Sequence, residues 1–407
     1  MALIAVDEAL KIAIGATPSH ESESVPWGQA EGRILLEPVH STWDDPPFDR
    51  SSMDGYAVRL PAAQGEAAPF RVIERVMAGE VPMRPIEPGQ ACKVMTGAPV
   101  PEGCESVVPI EDCEERGDEI LVRVAMRPGQ HIRRKGENLK AGEPVFTAGR
   151  RLDFLDLAIG MVLGISSAKV GRRLTATILS TGSELVPAGK NPGAGQIVNS
   201  NGPMLASLWR SWGGRVAAEG VVPDEEGALA SAILKGLDSD YFVLSGGVSA
   251  GDKDLVPDVL ASAGVEVLFH KVAMKPGKPI LMGRRGRTVV VGLPGNPVSS
   301  LVGALVFWRA SFAKRMGIPQ PSWGRASLVE AHESSARRRR FEPAFLLEGG
   351  CSAKLVPHRG SADLPAWRLA NALAELPEGL ERLEAGTMVR VLPFRWPFDG
   401  TGKGEAC

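Results

Sequence analysis

No C-x-x-C pair occurs among the five cysteines, Cys92, Cys104, Cys113, Cys351 and Cys407, and their number is odd. A zinc ribbon or a disulfide framework is therefore disfavoured, and the expectation is a reducing compartment in which they stay as thiols. The six His are scattered and give no H-E-x-x-H spacing for zinc. Long apolar runs are missing as well. Leu157 to Ile165 covers about nine residues and Leu301 to Trp308 about eight, where a bilayer span needs about twenty. The first residues show neither the basic region nor the apolar segment of an export signal, so a soluble cytoplasmic protein is expected. Charge of one sign is not in excess either. Lys+Arg number 46 against 48 Asp+Glu, a net charge of −2, which leaves no global footprint for nucleic acid. Neither G-x-x-x-x-G-K-[ST] nor G-x-G-x-x-G occurs, which disfavours a P-loop and dinucleotide redox chemistry.

Glycine and proline are plentiful. The 47 Gly and 32 Pro make up about 19% of 407 residues, against a usual share of about 12%. They follow no three-residue period, and 44% of residues are hydrophobic and 23% charged. Collagen and a wholly disordered chain are excluded on that composition. At about 150 residues per domain the length suggests about two to four domains.

Apolar residues Leu3, Val6, Ala9, Leu10, Ala13 and Ile14 recur at helical spacing, and Asp7 and Glu8 suit the start of that helix. A short helix is expected near 28–34. From about Asp44 to Lys140, short Val- and Ile-rich runs alternate with Pro/Gly turns, which reads as a small all-β domain. Arg151 to Ile165 reads as a helix. From Leu174 to about Gly317 strands and helices alternate, and this βαβ pattern predicts a parallel, doubly wound sheet covered on both faces. Short strands return after Pro321, with a helical pattern over Ala366–Leu376 whose N-cap would be Ser361 or Asp363.

Four loops of the α/β region follow strands directly, where open sheets bind ligands. The first, Ser180-Thr181-Gly182-Ser183-Glu184, offers hydroxyls, close backbone approach and a carboxylate. In the second, Ser245-Gly246-Gly247-Val248-Ser249 leads into Asp252 and Asp254. Its glycines expose N–H groups to an anion, and its carboxylates at i and i+2 suit Mg²⁺. The third, Lys275-Pro276-Gly277-Lys278-Pro279, holds two ammonium groups on a stiff loop. The fourth, Leu293-Pro294-Gly295-Asn296-Pro297-Val298-Ser299, ends in a helix-capping Ser. Each alone is as much a turn as a site. Together they predict a site for an anionic ligand, with Mg²⁺, on one sheet edge. Three other places remain open between turn and site: Asp54 in Arg50–Val58, Thr96 in Met95–Pro101, and Arg133-Arg134-Lys135-Gly136-Glu137-Asn138. The run Arg337–Arg340 reads as a solvated loop or an anion contact.

In this order, "RSSMDGYAV" (50–58), "MTGAPVPEG" (95–103), "RRKGEN" (133–138), "STGSEL" (180–185), "IVNSNGPML" (197–205), "SGGVSAGDKD" (245–254), "AMKPGKP" (273–279), "GLPGNPVS" (292–299) and "GSADL" (360–364) span the chain. The set resembles the molybdopterin molybdenumtransferase family, MoeA and the E domain of gephyrin and its plant relatives. The resemblance implies a multi-domain α/β-plus-β fold. Its centre would be a doubly wound three-layer α/β molybdopterin-binding-like domain at 174–317. Small β domains would flank it at 45–140 and 318–407, and 1–44 with 141–173 would form a discontinuous helical domain. It implies a homodimer that inserts molybdate into adenylylated molybdopterin with Mg²⁺-dependent release of AMP, and the molybdopterin adenylyltransferase as a candidate partner. Asp54 and Thr96 would reach in from the second subunit. Glu184, Asp224, Asp252 and Asp254 would face metal and pyrophosphate, with Asp252, Asp254 and Glu184 as metal ligands. Lys275, Lys278, Ser299, Ser361 and Arg338 would hold oxyanion oxygens. Ser180, Thr181, Gly182, Ser245, Gly246, Gly247, Ser249, Pro294 and Asn296 would contact substrate. The chain departs from the family at Asn138, often Asp, and at Pro343, which replaces the last arginine of an Arg-x-x-Phe-x-Arg run. A scaffold of the gephyrin type is the alternative. The presence of Asp54, Glu184 and Lys275, which a scaffold could lose, favours the enzyme.

Overall fold

The computed structural model describes residues 3–60, 68–248, 255–333, 338–347 and 349–395. Two compact units divide the chain, one of residues 1–23 and 171–407, the other of 24–170.

The first unit contains a six-stranded sheet in the order Arg215–Val222, Thr175–Thr181, Tyr241–Ser245, Thr288–Leu293, Leu281–Arg285, Glu266–His270. The first four strands are parallel, and Leu281–Arg285 alone runs against its neighbours. Sequence pattern marks no strand at Leu281–Arg285, because its apolar start gives way to Gly283, Arg284 and Arg285 after three residues. Gly283 is required there, since a Cβ would fall 2.8 Å from Val265 and 2.9 Å from the Glu266 carbonyl oxygen. The central strand Tyr241–Ser245 is buried at every position. Such a run needs cover on both sides. Leu229 and Ile233 of one helix and Val256, Val259 and Leu260 of another pack on one face with Phe242 and Leu244. On the other face Trp209 stacks on Trp308 at 5.0 Å and meets Tyr241 at 5.2 Å. The sheet is thus the middle of three layers. Pro297–Met316 is a continuous helical stretch whose middle, Ala304–Trp308, is a π-helical turn, and it ends at Gly317 with φ +68°.

The same unit holds a closed β ring. Arg339–Leu346 pairs with Ser352–Leu355, which pairs with Gly324–Leu328, then Met388–Pro393, then Ala372–Leu376, and the last pairs back on Arg339–Leu346. The two-residue strand Met274–Lys275 adds to this ring parallel to Arg339 and Arg340. The helical pattern expected over Ala366–Leu376 is not what forms. A 3₁₀ segment at Leu364–Leu369, capped by Asp363, gives way to the strand Ala372–Leu376. Helix formers such as Ala and Leu are overruled there because the strand is buried at every position and paired on both sides. Near residue 28 only the single turn Trp27–Gln29 is helical. Cys92, Cys104 and Cys113 are free thiols, and Cys407 lies outside the described residues.

In the second unit the sheet order is Ser106–Pro109, Gly55–Val58, Gln90–Val94, Ala68–Val76, Glu119–Val122, Cys113–Arg116. Alternate residues feed two cores: Ala57, Cys92 and Val107 on one face, Tyr56, Val58 and Val108 on the other. A separate cluster packs the buried Trp27 against Phe146, and the Trp27 indole N–H donates to the Leu157 carbonyl at 2.9 Å. Leu157 lies in the helix Phe154–Val162, which Asp153 caps.

Below the first unit's sheet, at the start of its central strand, Asp240 accepts from Arg172 at 2.7 Å, Arg315 at 2.8 Å and the Thr175 N–H at 2.8 Å. Burial would raise its pKa, but these donors outweigh burial and hold it below the usual value. Its stabilisation is therefore complete above the unfolded carboxylate pKa, about 3.9, and is lost as pH falls through the lower folded value. Asp240→Asn should cost about 3 kcal/mol at neutral pH and flatten the loss of stability below about pH 4. Urea unfolding across pH checks both.

Candidate functional site

Three groups of candidate residues emerge, two in the first unit and one in the second.

Backbone pairing builds the first. Because Lys275 lies in register with Arg340, the loop from Lys275 to Pro279 sits against the β ring. Lys275, Lys278, Ser299, Arg338 and Ser361 line one cleft of about 650 Å³. Five residues singled out from four separate stretches of sequence are thus brought together. Ser299 is buried in the first turn of its helix, and the preceding Val298 N–H donates to the Ser361 carbonyl at 3.2 Å. Arg338 donates to the Met274 carbonyl at 3.4 Å. The remaining walls include Arg340, from the run read as a solvated loop or an anion contact, and Glu330, His332, Glu342 and His358, which the sequence does not mark. Glu342, buried, takes Arg340 Nε at 2.7 Å and His358 Nε2 at 2.5 Å. Burial pushes the Glu342 carboxyl up, but His358 and Arg340 more than offset that, and its pKa is lowered. The hydrogen bond to Glu342 raises His358, whereas burial lowers His332. His358 stands three residues before Ser361, the one signal that could have found it.

The second group is the carboxyl edge of the sheet. Ser180 and Ser245 are register partners, as are Ser245 and Leu293. This brings Ser180, Thr181, Gly182, Ser245, Gly246, Gly247 and Pro294 to one edge. Glu184 folds over Gly182, where a Cβ would lie 2.7 Å from its carboxylate. Asp224 lies two residues beyond the end of the strand Arg215–Val222, and Asn296 stands at the N-cap position of the helix that follows Pro294, with no capping bond from its side chain. Asn201 was quoted only within a motif, yet it ties this edge together. Its amide donates to Ser245 Oγ and to the Gly295 carbonyl, both at 2.7 Å. Two buried oxygens of this edge have no partner among the described residues, Thr181 Oγ1 and Asn201 Oδ1. Gly246 and Gly247 crowd the former, so that a Cβ at either would lie within 3.0 Å of Thr181 Oγ1. Small residues and orphaned oxygens of this kind fit an exogenous polar ligand. Ser249, Asp252 and Asp254 lie outside the described residues. Among the described residues no cluster of three metal-binding side chains occurs. Of the expected metal ligands, Glu184 alone is described, and its hard oxygens suit Mg²⁺.

The third group is Asp54 with Thr96. Antiparallel pairing of Gly55 with Val94 sets the residue before one strand beside the turn after the other. Asp54 Oδ1 accepts the Thr96 N–H at 2.7 Å and the Thr96 hydroxyl at 2.8 Å. These two donors, backbone first, hold the exposed Asp54 carboxyl below its usual pKa. Asn138 donates its amide to Asp45 at 2.8 Å, a contact that an aspartate in its place could not make while ionised. Pro343 lies within the ring strand Arg339–Leu346, in register with Leu373.

Three family profiles match in order: MoeA N-terminal region (domain I and II) over residues 4–164, probable molybdopterin binding domain over 177–313, and MoeA C-terminal region (domain IV) over 325–394. Molybdopterin molybdenumtransferase 2 of Mycobacterium tuberculosis is 37% identical over 383 residues, 90% of this chain and 94% of that protein. The chain belongs to the molybdopterin molybdenumtransferase (MoeA) family. A Staphylococcus epidermidis molybdopterin molybdenumtransferase is 30% identical over 398 residues, 96% of this chain and 95% of the relative. A crystal structure of a molybdopterin biosynthesis MoeA protein from Pyrococcus horikoshii superposes with a TM-score of 0.84 at 32% identity, covering 97% of this chain and all of that one. This MoeA-family chain is accordingly a transferase of molybdenum cofactor biosynthesis, with the central α/β domain and flanking β domains of the family. Among its described residues no helix is long and apolar enough to cross a membrane.

Thr96→Val keeps the backbone donor to Asp54 and removes the hydroxyl. The Asp54 pKa, followed by carboxyl NMR titration, should rise and yet stay below the ordinary aspartate value.

Proposed function

We propose that this chain inserts molybdate into adenylylated molybdopterin and releases AMP, acting as a cytoplasmic homodimer in a Mg²⁺-dependent step. One observation carries the reading: Lys275, Lys278, Arg338, Ser299 and Ser361 converge on a single cleft. Three cations and two hydroxyls match the charge and acceptor oxygens of a tetrahedral dianion.

In this reading the ammonium groups of Lys275 and Lys278 and the Arg338 guanidinium neutralise the oxyanion, and Ser299 and Ser361 orient it. Ser180, Thr181, Gly182 and the amides of Gly246 and Gly247 receive the pterin phosphate and the pyrophosphate link to AMP, with Ser249, Pro294 and Asn296 shaping the same pocket. Asp252, Asp254 and Glu184 would hold Mg²⁺, with Asp224 beside them. The ion would neutralise charge on the bridging phosphate oxygens as the bond to AMP breaks. The protein's part is positioning and electrostatic stabilisation.

Asp54 and Thr96 belong in this scheme to the second subunit and complete the site across the dimer. An exposed apolar face on the helix Phe154–Val162 supports a dimer: Phe154 is 77% exposed, Met161 57% and Val162 60%. Apolar patches of this kind mark association surfaces. The four-part division stands with this proposal: a discontinuous helical domain (1–44 and 141–173), a β domain (45–140), the pterin domain (174–317) and a C-terminal β domain (318–407). The molybdopterin adenylyltransferase, as the source of the adenylylated substrate, is the proposed protein partner.

Incubation with adenylylated molybdopterin, molybdate and Mg²⁺ should release AMP, and omission of Mg²⁺ should stop it. Lys275→Ala should slow release by about 100-fold, the order expected for loss of one fixed charge-stabilising group. Inactive Asp54→Ala protomers mixed with inactive Lys275→Ala protomers should regain activity, because one of the two sites in the mixed dimer is intact. Mixed dimers that form and stay inactive rule out the shared site.

A further inference from the structure

The cleft wall contributed by the β ring contains a chain of contacts that ends at Ser361. Arg340 Nε donates to Glu342 Oε1 at 2.7 Å, and Glu342 Oε2 meets His358 Nε2 at 2.5 Å. Both ring atoms of His358 that can bond are therefore committed. Its Nδ1 accepts the Gly360 N–H at 3.0 Å and lies 3.4 Å from the Gly360 carbonyl oxygen. The neutral ring uses the first contact, and a ring protonated on Nδ1 faces the second. Gly360 has φ +111°, a conformation that L side chains rarely adopt. The turn cannot be fixed by a side chain at residue 360 itself. The next residue is Ser361, whose carbonyl accepts the Val298 N–H, one residue before Ser299. His358 and Ser361 both line the cleft.

We propose that His358 is a positioning residue, which pins the Gly360 turn so that the Ser361 hydroxyl faces the bound oxyanion, and that Glu342, steered by Arg340, sets the ring. The inference rests on the oxyanion reading of the cleft. His358 makes no covalent step and delivers no proton to the reaction. It acts by removing alternative positions of Ser361. Chemical geometry separates its two contacts. Asparagine places an amide where Nδ1 stands and can reach Gly360, while leaving Glu342 Oε2 to Arg340 and solvent. Glutamine places its amide where Nε2 stands and satisfies Glu342, while leaving the Gly360 N–H without its acceptor, the Gly360 carbonyl staying on the Asp363 N–H.

The test is calorimetric titration of the full chain with molybdate alone, with thermal unfolding followed by circular dichroism on every variant. His358→Ala should weaken molybdate binding about 10-fold, the worth of one good hydrogen bond in the site. His358→Gln should weaken it similarly, and His358→Asn should stay within about threefold of the parent. In a Ser361→Ala background, His358→Ala should add less than about twofold, because a residue that acts through Ser361 has nothing left to position. A merely structural His358 would instead lower the unfolding midpoint of all three variants alike and show no asparagine rescue. Equal affinity of parent and His358→Ala, or a full 10-fold loss in the Ser361→Ala background, overturns the inference while leaving the cleft as the anion site. A parent chain that binds no molybdate at millimolar concentration overturns the oxyanion reading, and the inference with it. If His358→Ala does not fold, the contrast between asparagine and glutamine decides the matter.

Discussion

Like charges do not gather without help. Lys275, Lys278, Arg338 and Arg340 all line one cleft, and like charges brought together repel even through water. What holds them is backbone. The two-residue ladder between Met274–Lys275 and Arg339–Arg340 joins the α/β layer to the β ring, and peptide hydrogen bonds are indifferent to side-chain charge. Buried Glu342 offsets Arg340, and Glu375 with Asp7 offsets Arg339. The lysines, Arg338 and the two serines are left to face the cleft. The cation cluster is therefore held in place by its frame.

The same separation of frame from site appears at the sheet edge. Thr175–Thr181, Tyr241–Ser245 and Thr288–Leu293 are fixed by buried apolar runs and parallel ladders. Their last residues, Ser180, Thr181, Ser245 and Leu293, arrive at one level because the registers leave no choice. Polar groups at that level cross-link one another through Asn201 or, like Thr181 Oγ1, have no partner among the described residues. Asp54 and Thr96 obey the same logic in the other unit, where an antiparallel register makes neighbours of residues 42 positions apart in the chain.

Much of this was legible in the amino-acid sequence, and for physical reasons. Alternating buried strands and amphipathic helices announce a three-layer α/β domain, and Gly/Pro loops set directly after strands mark its binding edge. Lys275, Lys278, Ser299, Arg338 and Ser361 could be named because their motifs recur across a family. What escaped was decided at long range. Ala372–Leu376 has the composition of a helix and becomes a strand because two neighbours bond to it. Leu281–Arg285 is too short and too charged to show a period. Glu342 and His358 sit 16 residues apart with no pattern linking them, and only closure of the ring makes them a pair.

Ring closure also has a direction in time. Arg339–Leu346 is held on one flank by Ala372–Leu376, and that strand in turn by Met388–Pro393, the last strand in the described chain. Synthesis proceeds from the N-terminus, so the wall that carries Arg338, His358 and Ser361 cannot be locked until the strand Met388–Pro393 has been made. An incomplete translation product would present the lysine loop without its frame. A chain terminated before Met388 is left without a finished cleft wall.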